Sequence, residues 1–148
     1  MSLDVYLEED GTQQPERWTI FIREDGETRE IDLEEWNRLY PGREPVWAHV
    51  GGRKSIYEAN ITHNLGEMAR AADLYMPLWR PDEIDITRAE QLIEPLTRGL
   101  AELRADPDKY KVHNPDNGWG TYDLLVRFVE TYLEACKENP TATVSVSR

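Results

Sequence analysis

Cysteine is nearly absent from the 148-residue chain. Cys136 stands alone, which excludes an internal disulfide or a thiolate metal cluster and suits a reducing, cytoplasmic compartment. Basic residues are scarce too. Seventeen Lys and Arg face 29 Asp and Glu, for a formal charge of −12, so sequence-independent nucleic-acid binding is nearly excluded, and a polybasic membrane anchor with it. No apolar run approaches the ~20 residues of a membrane span. The opening MSLDVYLEED has neither the basic end nor the apolar stretch of a signal peptide. The three histidines, His49, His63 and His113, form no local pair such as H-x-x-x-H, so no metal is expected. A G-x-S-x-G elbow is missing as well, no cofactor is implied, and no motif names a reaction.

What is present is an aromatic, acidic chain with five Trp and seven Tyr. Charge is uneven: residues 1–50 carry −8 and residues 51–148 carry −4. The first third reads as strands. Val5 and Leu7 alternate with polar neighbours, and Trp18–Glu24 and Glu27–Ile31 flank Asp25-Gly26, a type I′ hairpin signal. Asp32, with Glu35 three residues on, caps a short helix over Leu33–Tyr40 that Pro41-Gly42 stops, and Val46–Val50 reads as a further strand. The remainder reads as helical. Ser55 and Glu58 form a capping box for a helix carried to about Ala72, and Thr87 with Glu90 opens a second. That second helix has the stripe Ala89, Leu92, Ile93, Leu96, Leu100 and Leu103, and Pro95 should kink it. A third runs from about Thr121 to Lys137, burying Leu125, Val129, Tyr132 and Cys136. Ala142–Ser147 alternates like a strand that closes the N-terminal sheet. The expectation is one α+β domain over residues 1–148: a small antiparallel sheet of N-terminal strands plus the C-terminal strand, packed against about three helices.

Three segments carry chemistry. On a helix of ~100° per residue, Asn60, His63, Asn64 and Glu67 share one sector of about 100° beside the buried Ile61, Leu65, Met68 and Ala72. Two amides, an imidazole and a carboxylate would supply donors, acceptors and a titratable nitrogen together. The plainer reading is a solvated helix face. In His113–Tyr122, Asn117-Gly118 is a turn former, and Trp119 lies between Gly118 and Gly120 just ahead of a helix. Trp119 could stack on a planar ring while the helix-start amides hold a polar group; alternatively the segment is a tight cap in which Trp119 plugs the core. Third, Trp79-Arg80 sits between Pro77 and Pro81, where Arg80 could hold a phosphate or carboxylate or a neighbouring acid.

Asn60–Met68, Leu78–Pro81, Asn117–Tyr122 and the ending Val144–Arg148 resemble a group of small hypothetical proteins of bacteriophages and bacteria, most clearly over residues 55–148. The resemblance brings no assigned activity and no functional residues. By analogy a phage setting implies counter-defence. The leading expectation is a binding module for a small polar, ring-containing, nucleotide-like ligand, such as a signalling nucleotide to be sequestered. Its site would use Asn60, His63, Asn64, Trp79, Arg80, Asn117, Trp119 and Tyr122. A second reading is an acidic decoy for a host protein, drawing on Glu8-Glu9-Asp10 and Asp32 with Glu34-Glu35. The third is a small hydrolase with His63 as base, ranked last because no nucleophile or metal accompanies it; Cys136 falls on a buried stripe. Edge strands leave homo-oligomerisation through the sheet open.

Overall fold

Leu3, Val5 and Leu7 alternate with Asp4, Tyr6 and Glu8 along the first strand, β1 (Ser2–Glu8), and each of the three is fully buried. The computed structural model describes residues 1–9, 14–52 and 54–148; Asp10, the third member of the acidic run, lies outside them. The chain divides into two compact units, one of Met1–Asp10 with Lys54–Arg148 and one of Gly11–Arg53.

The smaller unit is a three-stranded antiparallel sheet, ordered β3-β2-β4, with one helix. Its elements are β2 (Gln14–Glu24), β3 (Glu27–Ile31), α1 (Leu33–Leu39) and β4 (Trp47–Gly52). Asp25 and Gly26 both have positive φ, 52° and 82°, as the type I′ turn requires. Asp32 accepts from the Glu35 amide at 2.7 Å and starts α1 as expected. Ile20, Ile22 and Ile31 form the core, with Trp36 and Tyr40 packed against it.

The larger unit holds a second antiparallel sheet, β5-β1-β6, built from β1, β5 (Ser55–Thr62) and β6 (Thr143–Ser147). Its helices are α2 (Gly66–Ala71), α3 (Tyr75–Trp79), α4 (Glu90–Ala105), α5 (Pro107–Lys111) and α6 (Tyr122–Glu138). The α4 and α6 stripes are buried as their spacing demands: Leu92, Leu96 and Leu103 on one, Leu125, Val129, Tyr132 and Cys136 on the other. Pro95 lies inside α4, which continues through it as one helix. Among the described residues no helix is long and apolar enough to cross a membrane.

The α+β class holds, but the sheet arrangement differs from the expectation. Among the described residues there are two three-stranded sheets rather than one, and the helix expected over Ser55–Ala72 begins only at Gly66. Ser55–Thr62 is extended because Tyr57, Ala59 and Ile61 pair with Leu7, Val5 and Leu3 along one sheet face. Of the apolar stripe that a helical period claims, only Ile61 lies on this strand, where a period of two buries it as well. The Ser55 hydroxyl donates to the Tyr57 carbonyl, so no capping box forms there. With 55–62 read as helix, β1 had lost its true partner.

Candidate functional site

The registers Ser2↔Thr62 and Asp4↔Ser147 bring the start of β1 and the ends of β5 and β6 to the same end of the sheet. The chain then tightens into a 3₁₀ turn, His63–Leu65, whose Thr62 hydroxyl accepts from the Asn64 amide at 3.3 Å. Two recesses open beside this turn.

The first, about 490 Å³, is lined by Met1, Ser2, Asn60, Thr62, Asn64 and Trp119. Asn60 stands opposite Asp4, and its amide nitrogen donates to the Asp4 carboxylate at 2.6 Å. That bond fixes the side chain and aims its oxygen elsewhere. Trp119 is 71% exposed, an unusual position for so large an apolar surface. The Asn117 side chain props it by accepting from the Trp119 amide at 2.9 Å. Gly120, at φ 102°, presses the loop onto the turn: a Cβ there would lie 2.8 Å from Thr62 Cγ2 and 2.9 Å from Leu65 Cγ. Only glycine meets both demands, and this contact is what carries Trp119 to Asn64.

The second recess, about 260 Å³, is lined by His63, Gly66, Glu67, Arg70, Tyr75, Trp79, Arg80 and Arg148. Trp79 is 2% exposed, and its indole N–H donates to His63 Nδ1 at 2.8 Å. An imidazole accepting at Nδ1 carries its hydrogen on Nε2. The Tyr75 and Trp79 rings stack 5.4 Å apart at 12°, and the Arg70 guanidinium lies 3.9 Å over the Tyr75 ring. Arg148 reaches from the end of β6 to the Trp79 carbonyl at 2.9 Å and to Asp82 at 3.1 Å. The Tyr75 hydroxyl and Glu83 beside Arg80 raise its pKa further above an already high value.

Several expected roles change. His63 and Asn64 lie on the turn and Asn60 on a strand, so no helix face joins them. They are neighbours because β5 ends where the turn begins. Trp79 offers no open face for stacking, since it is buried against Tyr75, and Trp119 alone of the two presents one. Tyr122 is a core anchor whose hydroxyl donates to the Leu103 carbonyl at 2.6 Å, and burial raises its pKa. Asn117 supports the loop and does not line the recess. Three of the amides at the start of α6 are already occupied: Tyr122 N donates to the Asn114 side chain, Leu124 N to Thr121 Oγ1, and Leu125 N to the Thr121 carbonyl. Glu67 pairs with Arg70 rather than with His63, so His63 gains no carboxylate partner there for the role of base. Burial pushes the Cys136 thiol up to about 12, which removes it as a nucleophile at neutral pH.

Arg70, Tyr75 and Arg148 were not singled out from sequence. The i+5 and i+4 steps from Arg70 to Tyr75 to Trp79 are a weak local signal, whereas Arg148 reaches the site only through the register of β6 on β1. No protein-family model, no curated protein and no solved structure matches the chain.

Proposed function

We propose that this protein is a binding module for a small, polar, ring-containing ligand of nucleotide-like character. One observation carries the reading: the exposed Trp119 and the amide side chains of Asn60 and Asn64 come together in a single recess. Its volume of about 490 Å³ is within the range of small-molecule sites, which combine an apolar wall with a few convergent polar groups. A planar ring would stack on Trp119 while the two amides, each both donor and acceptor, read its edge. In a phage setting such a module would act by sequestering a signalling nucleotide.

The test is mass spectrometry of protein purified natively and then denatured, followed by titration with purine and pyrimidine mononucleotides. A stoichiometric ring-containing ligand, with binding weakened at least tenfold in Asn60→Ala and in Trp119→Ala and the fold intact, is the expected result. An empty protein with no saturable mononucleotide binding overturns it. Salt-sensitive capture of a basic protein, indifferent to both substitutions, would favour the acidic decoy instead.

A further inference from the structure

Guanidinium groups outnumber carboxylates in the lining of the second recess. Three guanidinium groups, those of Arg70, Arg80 and Arg148, and one carboxylate, Glu67, line it, in a chain with a formal charge of −12. The imidazole of His63 adds a donor at Nε2, because Trp79 occupies Nδ1. We propose that this recess is an oxyanion subsite, for a phosphate or carboxylate group, and that it senses its occupant through the Trp79–His63 hydrogen bond. It deepens the preceding reading by giving the ring-containing ligand an anionic group, and rests on that reading only for the ring.

Three features carry the inference. The first is preorganisation. Arg70 lies flat on Tyr75, Tyr75 stacks on the buried Trp79, and Arg148 is held by the Trp79 carbonyl, so the donors are placed before any ligand arrives. The second is ease of exchange. Arg70 pairs with Glu67, Arg80 with Glu83 and Arg148 with Asp82, all partly exposed. Such pairs contribute little, so an oxyanion offering bidentate acceptors to guanidinium can replace them. The third is adjacency. His63 faces this recess and Asn64 faces the other, so one ligand carrying a ring and an anionic group has a place for each on either side of consecutive residues.

The experiment uses the ¹⁵N-labelled full chain, titrated with inorganic phosphate and separately with acetate, at ionic strength held constant by chloride. The indole N–H resonance of Trp79 is the readout. A saturable Trp79 shift with phosphate or acetate is expected, with the Trp119 indole unmoved; the anion that saturates first assigns the group. The Arg80→Ala/Arg148→Ala double variant should weaken binding at least tenfold, with dispersed amide resonances reporting an intact fold. Arg148→Lys should restore part of the loss for phosphate. A shift that grows linearly with either anion, or a double variant that binds as tightly as the parent, overturns the proposal. Trp119→Ala separates the two readings: it should leave phosphate or acetate binding unchanged while weakening that of mononucleotides at least tenfold. Saturable anion binding with mononucleotides held no more tightly than phosphate would sink the ring site and leave the anion site standing.

Discussion

The two units differ first in how much they bury. In the larger one, 26 buried residues form a continuous core from Leu3 to Ala142. In the smaller one three isoleucines do this work, with Trp36 and Tyr40 alongside, and α1 contributes no buried residue at all. Among the described residues the smaller unit also shows six of the thirteen exposed large apolar ones, Trp18, Phe21, Leu33, Leu39, Val46 and Trp47. A segment of 43 residues is close to the size at which an apolar core alone stops sufficing. The lesson is that both candidate recesses belong to the unit with the larger core, which fixes the strand ends and the turn that line them.

Deleting core volume sharpens the contrast most. Leu96→Ala and Ile20→Ala each remove a fully or almost fully buried side chain, at a cost of about 2–5 kcal/mol. In the larger unit this should lower the melting temperature while the native fold persists. In the smaller one it should strip hydrogen-exchange protection from β2–β4 while β1, β5 and α6 stay protected. Equal loss in all six elements would break the comparison. Gly120→Ala comes next, at about 2 kcal/mol or more, from a positive φ and a Cβ clash together. Altered environments of Trp119 and Asn64 in NMR spectra would check it, and an unchanged spectrum would refute the role given to the glycine.

Acid should act on the smaller unit through Glu30. Its carboxyl is held down to about 2 by hydrogen bonds from Arg17 and then Thr19. Because the folded value lies below the ordinary 4.5, the contribution is present above that pH and fades as pH falls towards 2. Glu30→Gln should flatten the pH dependence of β2–β3 amide protection over that window. The smallest effect is expected at Tyr132, whose buried hydroxyl has no hydrogen-bond partner among the described residues. Tyr132→Phe should shift stability by less than about 0.5 kcal/mol, in the stabilising direction, since it deletes an unsatisfied group. A clear loss in thermal melting would mean that a partner had been removed.

Much of the fold was legible because its signals are local. The Asp25-Gly26 turn, the Asp32 cap and the α4 and α6 stripes each lie within one short window. The segment 55–72 misled for a physical reason. Ile61, Leu65, Met68 and Ala72 are all buried, as a helical wheel requires, yet they sit on a strand, a 3₁₀ turn, a helix and its C-terminal cap in succession. The spacing of buried residues survives while the period changes beneath it, and only pairing with β1, 47 to 60 residues away, decides between them. A second non-local pairing, of β6 on β1, brings Arg148 to the recess that His63 lines. Asn60, Asn64 and Trp119 were legible as residue types, but their meeting place follows from strand ends and from the close approach at Gly120. The division into two units had no linker to announce it.

The Glu9 amide donates to the Lys54 carbonyl at 2.7 Å, so the chain departs from the β1–β5 pair and rejoins it through neighbouring positions. Topologically β1 and β5 are a single hairpin whose turn has been exchanged for a 43-residue excursion. Loop-closure entropy grows only with the logarithm of length, so the exchange costs about 2 kcal/mol relative to a four-residue turn. Register is then kept by the cross-strand pairs and not by the turn. The recesses lie at the opposite end of this hairpin, by Ser2 and Thr62, so exchanging the excursion for a short turn is expected to leave their geometry in place.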